Sequence, residues 1–174
     1  MFKEFELIRG EKDMRLFIAI QLSEEMKRAL VACMHDLKKQ GVEGNYIPAK
    51  NLHMTLAFIG EYDDPAKIKN VLEKVPLPNF RLSLGEKGNF GNLIWVGVKG
   101  NQKLKTYVKD LRGALKEAGI PFDNDKFVPH ITLIRKAASR RPYEVHLNKV
   151  EMKVEKISLM RSEMKNGKVD YREI

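Results

Sequence analysis

The chain has little with which to build covalent cross-links. Cys33 is the single cysteine in 174 residues, which excludes an internal disulfide and any cysteine-based metal cluster. It falls on the apolar face of a predicted helix and reads as a small buried hydrophobe. A reducing, cytoplasmic setting is the natural one for such a chain. Long hydrophobic runs are missing too. The longest, LFIAI at 16–20, is far short of the roughly 20 apolar residues that span a membrane, so no membrane partner is expected. Residues 1–13 are largely polar and charged and carry no leader pattern. Threonine is scarce, with Thr55, Thr106 and Thr132 alone, and the histidines are only His35, His53, His130 and His146. That scarcity makes their spacing informative.

Charge, by contrast, is plentiful. Lysine and arginine number 32 against 23 aspartates and glutamates, a formal net charge of +9. The excess favours a polyanionic partner such as nucleic acid. Surfaces rich in lysine and glutamate also occur on heat-stable proteins that bind no nucleic acid, so charge alone decides neither way. Hydrophobic residues make up 43%, which suits a globular chain long enough to bury a real core.

The chain reads as one pattern used twice. MRLFIAIQL, beginning at Met14, has the look of a buried strand. Ser23 offers an N-cap for a helix through Gln40, with Met26, Leu30, Cys33, Met34 and Leu37 at helical spacing and Gly41 as a stop. A loop containing Pro48 leads to the strand LHMTLAFIG. Shifted by 77 residues, the order returns: a strand LIWVGV at 93–98, a helix over 101–117 closed by Gly119 and Pro121, and a strand FVPHITLIR. In that register Leu16 maps to Leu93, Val31 to Val108, Met34 to Leu111, His53 to His130 and Thr55 to Thr132. A strand–helix–strand unit used twice suggests two lobes related by an approximate two-fold axis, with the histidine strands facing across a cleft. A short helix from Asp64-Pro65 to Lys74, a strand at 80–88 and a hairpin at Asn166-Gly167 fill out the lobes. Residues 136–148 are basic and irregular, and a loop with a short helix is expected there.

The histidines carry the chemical signal. His53 and His130 each have a threonine two places on, a coincidence that random order would produce roughly once in five hundred such chains. In a strand, residues i and i+2 share a face. His53 and Thr55 therefore point together while Met54 and Leu56 point into the core, and His130 and Thr132 do likewise before Ile131 and Leu133. Two imidazoles and two hydroxyls can then converge on a small anion. Arg135, five residues after His130 and expected at the end of the same strand or just beyond it, adds a guanidinium whose planar fork matches phosphate oxygens. A lone histidine of this kind would read as structural, hydrogen-bonded to backbone; the matched pair argues against that. His35 and His146 have no threonine partner and read as surface residues. No His-x₃-His pair, cysteine cluster or obvious third ligand supports a zinc site, so no metal is expected.

The segments MRLFIAIQL, NLHMTLAFIG, WVGV and FVPHITLIR together resemble the two-histidine (2H) phosphoesterase superfamily, and within it the RNA 2′,3′-cyclic phosphodiesterases, also called 2′-5′ RNA ligases. The likeness runs from Met14 almost to the C-terminus. It implies an α+β fold with two lobes, each an antiparallel sheet backed by helices, and an active site in the cleft between them. It also implies metal-independent chemistry with no cofactor: His53 and His130 as the catalytic pair, Thr55 and Thr132 on phosphate oxygens, and Arg135 as a further phosphate contact. Members commonly begin near Met14, so residues 1–13 are expected to be an extension to a single domain over 14–174. Tyr46 stands where tryptophan is common, a position tied to base stacking.

The expected reaction is hydrolysis of a 2′,3′-cyclic phosphate end of RNA to a 2′-phosphate, with 2′-5′ joining as its reverse. His130 is read as the proton acceptor and His53 as the donor, each with an ordinary pKa near roughly 6.5. The substrate partner is RNA with such ends, no obligatory protein partner is expected, and because one chain supplies both histidines a monomer suffices. Two other readings stay open: a phosphodiesterase acting on a small cyclic nucleotide, and a non-catalytic protein that holds RNA ends.

Overall fold

The computed structural model describes residues 15–99 and 101–174; the expected 1–13 extension, and Met14 as the start of the first strand, lie outside them. The first apolar run is strand β1 (Arg15–Gln21), buried along its five central residues. Ser23 caps helix α1 (Glu24–Lys39) by accepting the Met26 N–H at 3.1 Å, and Gly41, at φ +95°, lets the chain turn away from it. The loop expected around Pro48 contains a short strand, β2 (Glu43–Tyr46), and a single 3₁₀ turn at Ala49–Asn51 before β3 (His53–Gly60). Helix α2 (Pro65–Lys74) starts on Asp64, whose carboxylate accepts the Lys67 N–H. A hairpin of β4 (Arg81–Phe90) and β5 (Leu93–Val98) leads to α3 (Gln102–Glu117), capped by Asn101. Then come β6 (His130–Ala138), β7 (Glu151–Lys153) and a last hairpin, β8 (Ser158–Lys165) and β9 (Lys168–Glu173). Its turn puts Asn166 and Gly167 at φ 52° and 75°, the left-handed pair that a two-residue Asn-Gly turn requires.

The strands form two antiparallel sheets, ordered β3-β1-β8-β9 and β2-β6-β5-β4-β7. Together with the helices they make an α+β fold of two lobes. Neither lobe is a continuous stretch of chain: β2 pairs with β6 in the second sheet, and the C-terminal hairpin completes the first. One large core takes the apolar faces of α1 and α3 and the inner faces of both sheets. A separate small cluster of Phe17, Ala19 and Met160, with Phe58 and Tyr171 against it, sits on the opposite face of the first sheet. Strands β3 and β6 pack against each other although they belong to different sheets, and this contact brings the two His-x-Thr segments together.

Two expectations need correction. The register of 77 holds for the histidine strands only. Ala19 lies opposite Thr55 and Trp95 opposite Thr132, so the first strands correspond at 76. The buried helix positions Met26, Leu30, Cys33 and Leu37 correspond to Leu104, Val108, Leu111 and Leu115, a shift of 78. Val108 thus fills the place of Leu30, not of Val31. Connecting loops absorb a one-residue slip, whereas a buried face cannot. The second correction concerns 136–148. No helix forms there: β6 runs on to Ala138 and an extended chain follows. Tyr143, Val145 and Leu147 alternate toward the core while Glu144 and His146 face water, a period of two that is incompatible with a helix. Gln40 pins this segment to the end of α1, donating to Glu144 O at 2.7 Å and accepting the Glu144 N–H at 2.8 Å.

Candidate active site

Each histidine strand carries an extra residue, relative to its neighbour, just beyond the threonine. Ala19 pairs with Thr55 and Ile18 with Ala57, leaving Leu56 without a partner on β1; Trp95 pairs with Thr132 and Ile94 with Ile134, leaving Leu133 without one on β5. These are β-bulges at equivalent positions, one residue after each threonine. A bulge reverses the alternation of faces beyond it. Leu56 and Ala57 both turn into the core, as do Leu133 and Ile134. The next residue then returns to the side of the histidine. That residue is Phe58 in β3 and Arg135 in β6. Simple alternation would put Arg135, at i+5, on the face opposite His130; the bulge restores it. Arg135 also lies well inside β6, not at its end.

The two imidazoles are held alike. His53 Nδ1 lies 2.7 Å from Asn51 O, and His130 Nδ1 lies 2.7 Å from Val128 O. A carbonyl only accepts, so Nδ1 carries the proton in each neutral ring and Nε2 is the basic atom. His53 Nε2 is 2.9 Å from Thr55 Oγ1. Asn51 is itself buried, its amide donating to Val169 O of β9 at 3.1 Å, so the turn carrying the His53 anchor is tied to the C-terminal hairpin.

Exposure differs between the lobes. His130, Thr132 and Arg135 are buried, at 8%, 6% and 6% exposed, while His53 and Thr55 are half-buried. Each ring has aromatic company from a strand outside the motifs. Tyr171 of β9 meets His53 edge-on at 5.0 Å and 82°, with Phe17 tilted against it, also at 5.0 Å. Trp95 of β5 meets His130 edge-on at 5.9 Å and 70°. The indole in turn lies over Gly88, where a Cβ would stand 2.4 Å from its ring. Sequence reasoning missed these roles for Trp95, Tyr171 and Phe17, because cross-strand pairing, not motif spacing, brings them to the histidines. Asn45 is a further addition: it lies opposite Arg135 and so shares its face.

Other candidates lie elsewhere. Tyr46 pairs with Ile134, a core residue. Its ring lies on the α1 side with Lys38 5.8 Å from the ring centroid, and its hydroxyl donates to Val42 O. It does not stand beside the histidines as a stacking residue would. His35 lines a groove of about 280 Å³ with Val31, Met34, Lys38 and Tyr46, outside the histidine face. His146 is exposed, with Asp36 at 3.0 Å and Glu144 at 3.3 Å raising its pKa. Among the described residues, no three His, Cys, Asp or Glu side chains gather into a metal-binding group, and no helix is long and apolar enough to cross a membrane.

The chain is similar to known proteins over most of its length. An RNA 2′,3′-cyclic phosphodiesterase of Thermotoga maritima is 33% identical over 132 residues, covering 70% of this chain and 70% of that protein. One from Escherichia coli is 31% identical over 131 residues, covering 71% and 73%. The crystal structure of E. coli LigT complexed with 3′-AMP aligns with a TM-score of 0.78 at 26% identity, covering 94% of this chain and 95% of that one. The sequence model of the 2′-5′ RNA ligase superfamily spans residues 19–166, a stretch that takes in both bulged histidine strands, and by that match the chain belongs to the 2′-5′ RNA ligase superfamily.

Proposed function

We propose that this protein hydrolyses the 2′,3′-cyclic phosphate end of RNA to a 2′-phosphate, with His53 and His130 as an acid–base pair. The observation that carries the reading is the matched anchoring of the two imidazoles. Each Nδ1 is 2.7 Å from a carbonyl two residues earlier, which leaves Nε2 as the basic atom of each neutral ring and supports its use in proton transfer. A protein that only bound phosphate would gain nothing from two rings fixed in one tautomer. Named relatives at about this similarity are RNA 2′,3′-cyclic phosphodiesterases.

In the proposed reaction His130 Nε2 takes a proton from water as the oxygen attacks phosphorus. The bond from phosphorus to the 3′ oxygen breaks, and protonated His53 delivers its proton to that oxygen. Solvent then returns the pair to its starting protonation. Burial supports this division. The departing oxygen belongs to a ribose and the rest of an RNA chain, which need the more open side at His53. Thr55, Thr132 and Arg135 would hold the phosphate oxygens as charge develops. One chain carries the whole set, so the reading needs no second copy.

The test is turnover of an RNA oligomer ending in a 2′,3′-cyclic phosphate, in EDTA, with the product's phosphate position determined. The expected product is the 2′-phosphate. His53→Ala and His130→Ala should each lower kcat by about 10²–10⁴-fold, and the wild-type pH–rate profile should be bell-shaped. Near-normal turnover by either variant would refute the pair, and tight RNA binding without turnover would favour an end-binding protein.

A further inference from the structure

The outer side of β3 poses a problem that β6 does not have. β6 lies between β2 and β5, but β3 is an edge strand. A bulge disturbs the ladder, and a carbonyl left without a donor there is costly. In β6 the carbonyl of the bulged Leu133 accepts the Ile47 N–H at 2.9 Å, from the chain just beyond β2. On the outer side of β3, among the described residues, no strand runs alongside the bulged Leu56. Its carbonyl instead accepts from Arg112 of α3, through Nε at 3.2 Å and Nη2 at 2.9 Å. The third donor, Nη1, reaches Asp125 O at 2.7 Å. Asp125 belongs to the segment that carries Val128, the anchor of the His130 ring. The same segment lies along β3, where the Asp123 N–H donates to Phe58 O at 2.8 Å. Phe122 and Phe127 stand 5.9 and 5.7 Å from the guanidinium and enclose it. Its burial lowers the pKa, opposed by Asp123 and Asp125.

One side chain is thus bonded to the main chain one residue past Thr55 and to the main chain five residues before His130. We propose that Arg112 is a positioning residue that sets the two histidine strands relative to each other, an inference that rests on reading His53 and His130 as the acid–base pair. Arg112 touches neither ring. It acts by holding the bulge of β3 and the approach to β6 to one rigid plane. Lysine cannot replace it, because a single ammonium lacks the planar fork that spans two carbonyls.

The experiment compares wild type, Arg112→Lys and Arg112→Ala on the cyclic-phosphate RNA oligomer, at a temperature where circular dichroism shows each variant folded. Misplaced catalytic groups should lower kcat by about 10²-fold while KM stays within about threefold, because the phosphate-holding groups remain. Millimolar guanidinium should restore part of the kcat of Arg112→Ala and leave wild type unchanged. Folded Arg112→Ala or Arg112→Lys with wild-type kcat would overturn the proposal, as would a kcat loss in folded Arg112→Ala that guanidinium does not relieve. Should Arg112→Ala fail to fold, Arg112→Lys decides: reduced kcat at unchanged KM supports the role and full kcat refutes it. His53→Ala and His130→Ala run alongside. If they keep activity, the acid–base reading itself fails, whatever the Arg112 variants do.

Discussion

At the scale of single residues, the two lobes place different chemistry at equivalent points. Beyond each bulge one side chain returns to the histidine side, and it is an arginine in β6 and a phenylalanine in β3. The proposed site therefore has its cationic grip on the His130 side and its aromatic wall of Phe17, Phe58 and Tyr171 on the His53 side. A phosphate and a ribose-bearing end would meet different surroundings, which suits a directional reaction. Cys33 belongs to the opposite, inert category. It is buried in α1, and its thiol is pushed up to about 11, by burial first and by Asp36 second. At pH 8 only about one thiol in 10³ would be the nucleophilic thiolate. Iodoacetamide at that pH should leave the folded protein unlabelled over hours and label it fully in denaturant, as mass spectrometry would record. Rapid labelling of the folded protein would contradict the packing of α1 against the core.

At the scale of elements, the bulges decide which residues face the candidate site, and β2 is fitted closely to β6 around them. Gly44 stands at φ +149°, and a Cβ there would come within 2.7 Å of Ile134 Cγ2 and 2.9 Å of Arg135 O. The second contact is backbone and cannot swing away. Gly44→Ala should cost about 1–3 kcal/mol of stability, and it should lower kcat/KM because the strand carrying Arg135 must shift. Thermal unfolding and steady-state kinetics check both; unchanged values would mean that β2 does not restrain Arg135. None of this fit is visible in the letters. Helices α1, α2 and α3 are legible because caps and a 3.6-residue apolar period are local signals, and the last hairpin because Asn-Gly is one. The His-x-Thr pairs are legible for the same reason, as an i, i+2 pattern. Strand β2 is not, since EGNY is polar and becomes a strand only by pairing with residues some ninety positions away. Nor are the bulges, which exist only relative to a neighbouring strand, or the approach of Trp95 and Tyr171 to the rings. The alternation of Tyr143, Val145 and Leu147 is present in the sequence, but the density of charge around it obscures the period.

At the scale of the whole molecule, the two sheets meet along β3 and β6, and the chain crosses between them so that neither lobe is a separate unit. Around this arrangement the net charge is +9. A site for a cyclic phosphate needs only a few cations, so the excess bears on what lies beyond the terminal nucleotide. If the protein grips about three phosphates of a single strand, the terminal cyclic one included, log affinity should fall against log salt with a slope near −2. Raising salt from about 50 to 200 mM would then weaken 1/KM for an RNA oligomer by roughly 20-fold. A cyclic mononucleotide, with one phosphate, should lose only about threefold over the same range. Both substrates share the terminal cyclic phosphate, so the difference between their slopes reports the contacts beyond it. Measuring kcat/KM for the two across that salt series separates an RNA-end enzyme from one built for small cyclic nucleotides. Equal, shallow slopes would confine the protein's grip to the last nucleotide and leave the basic surface without a part in substrate binding.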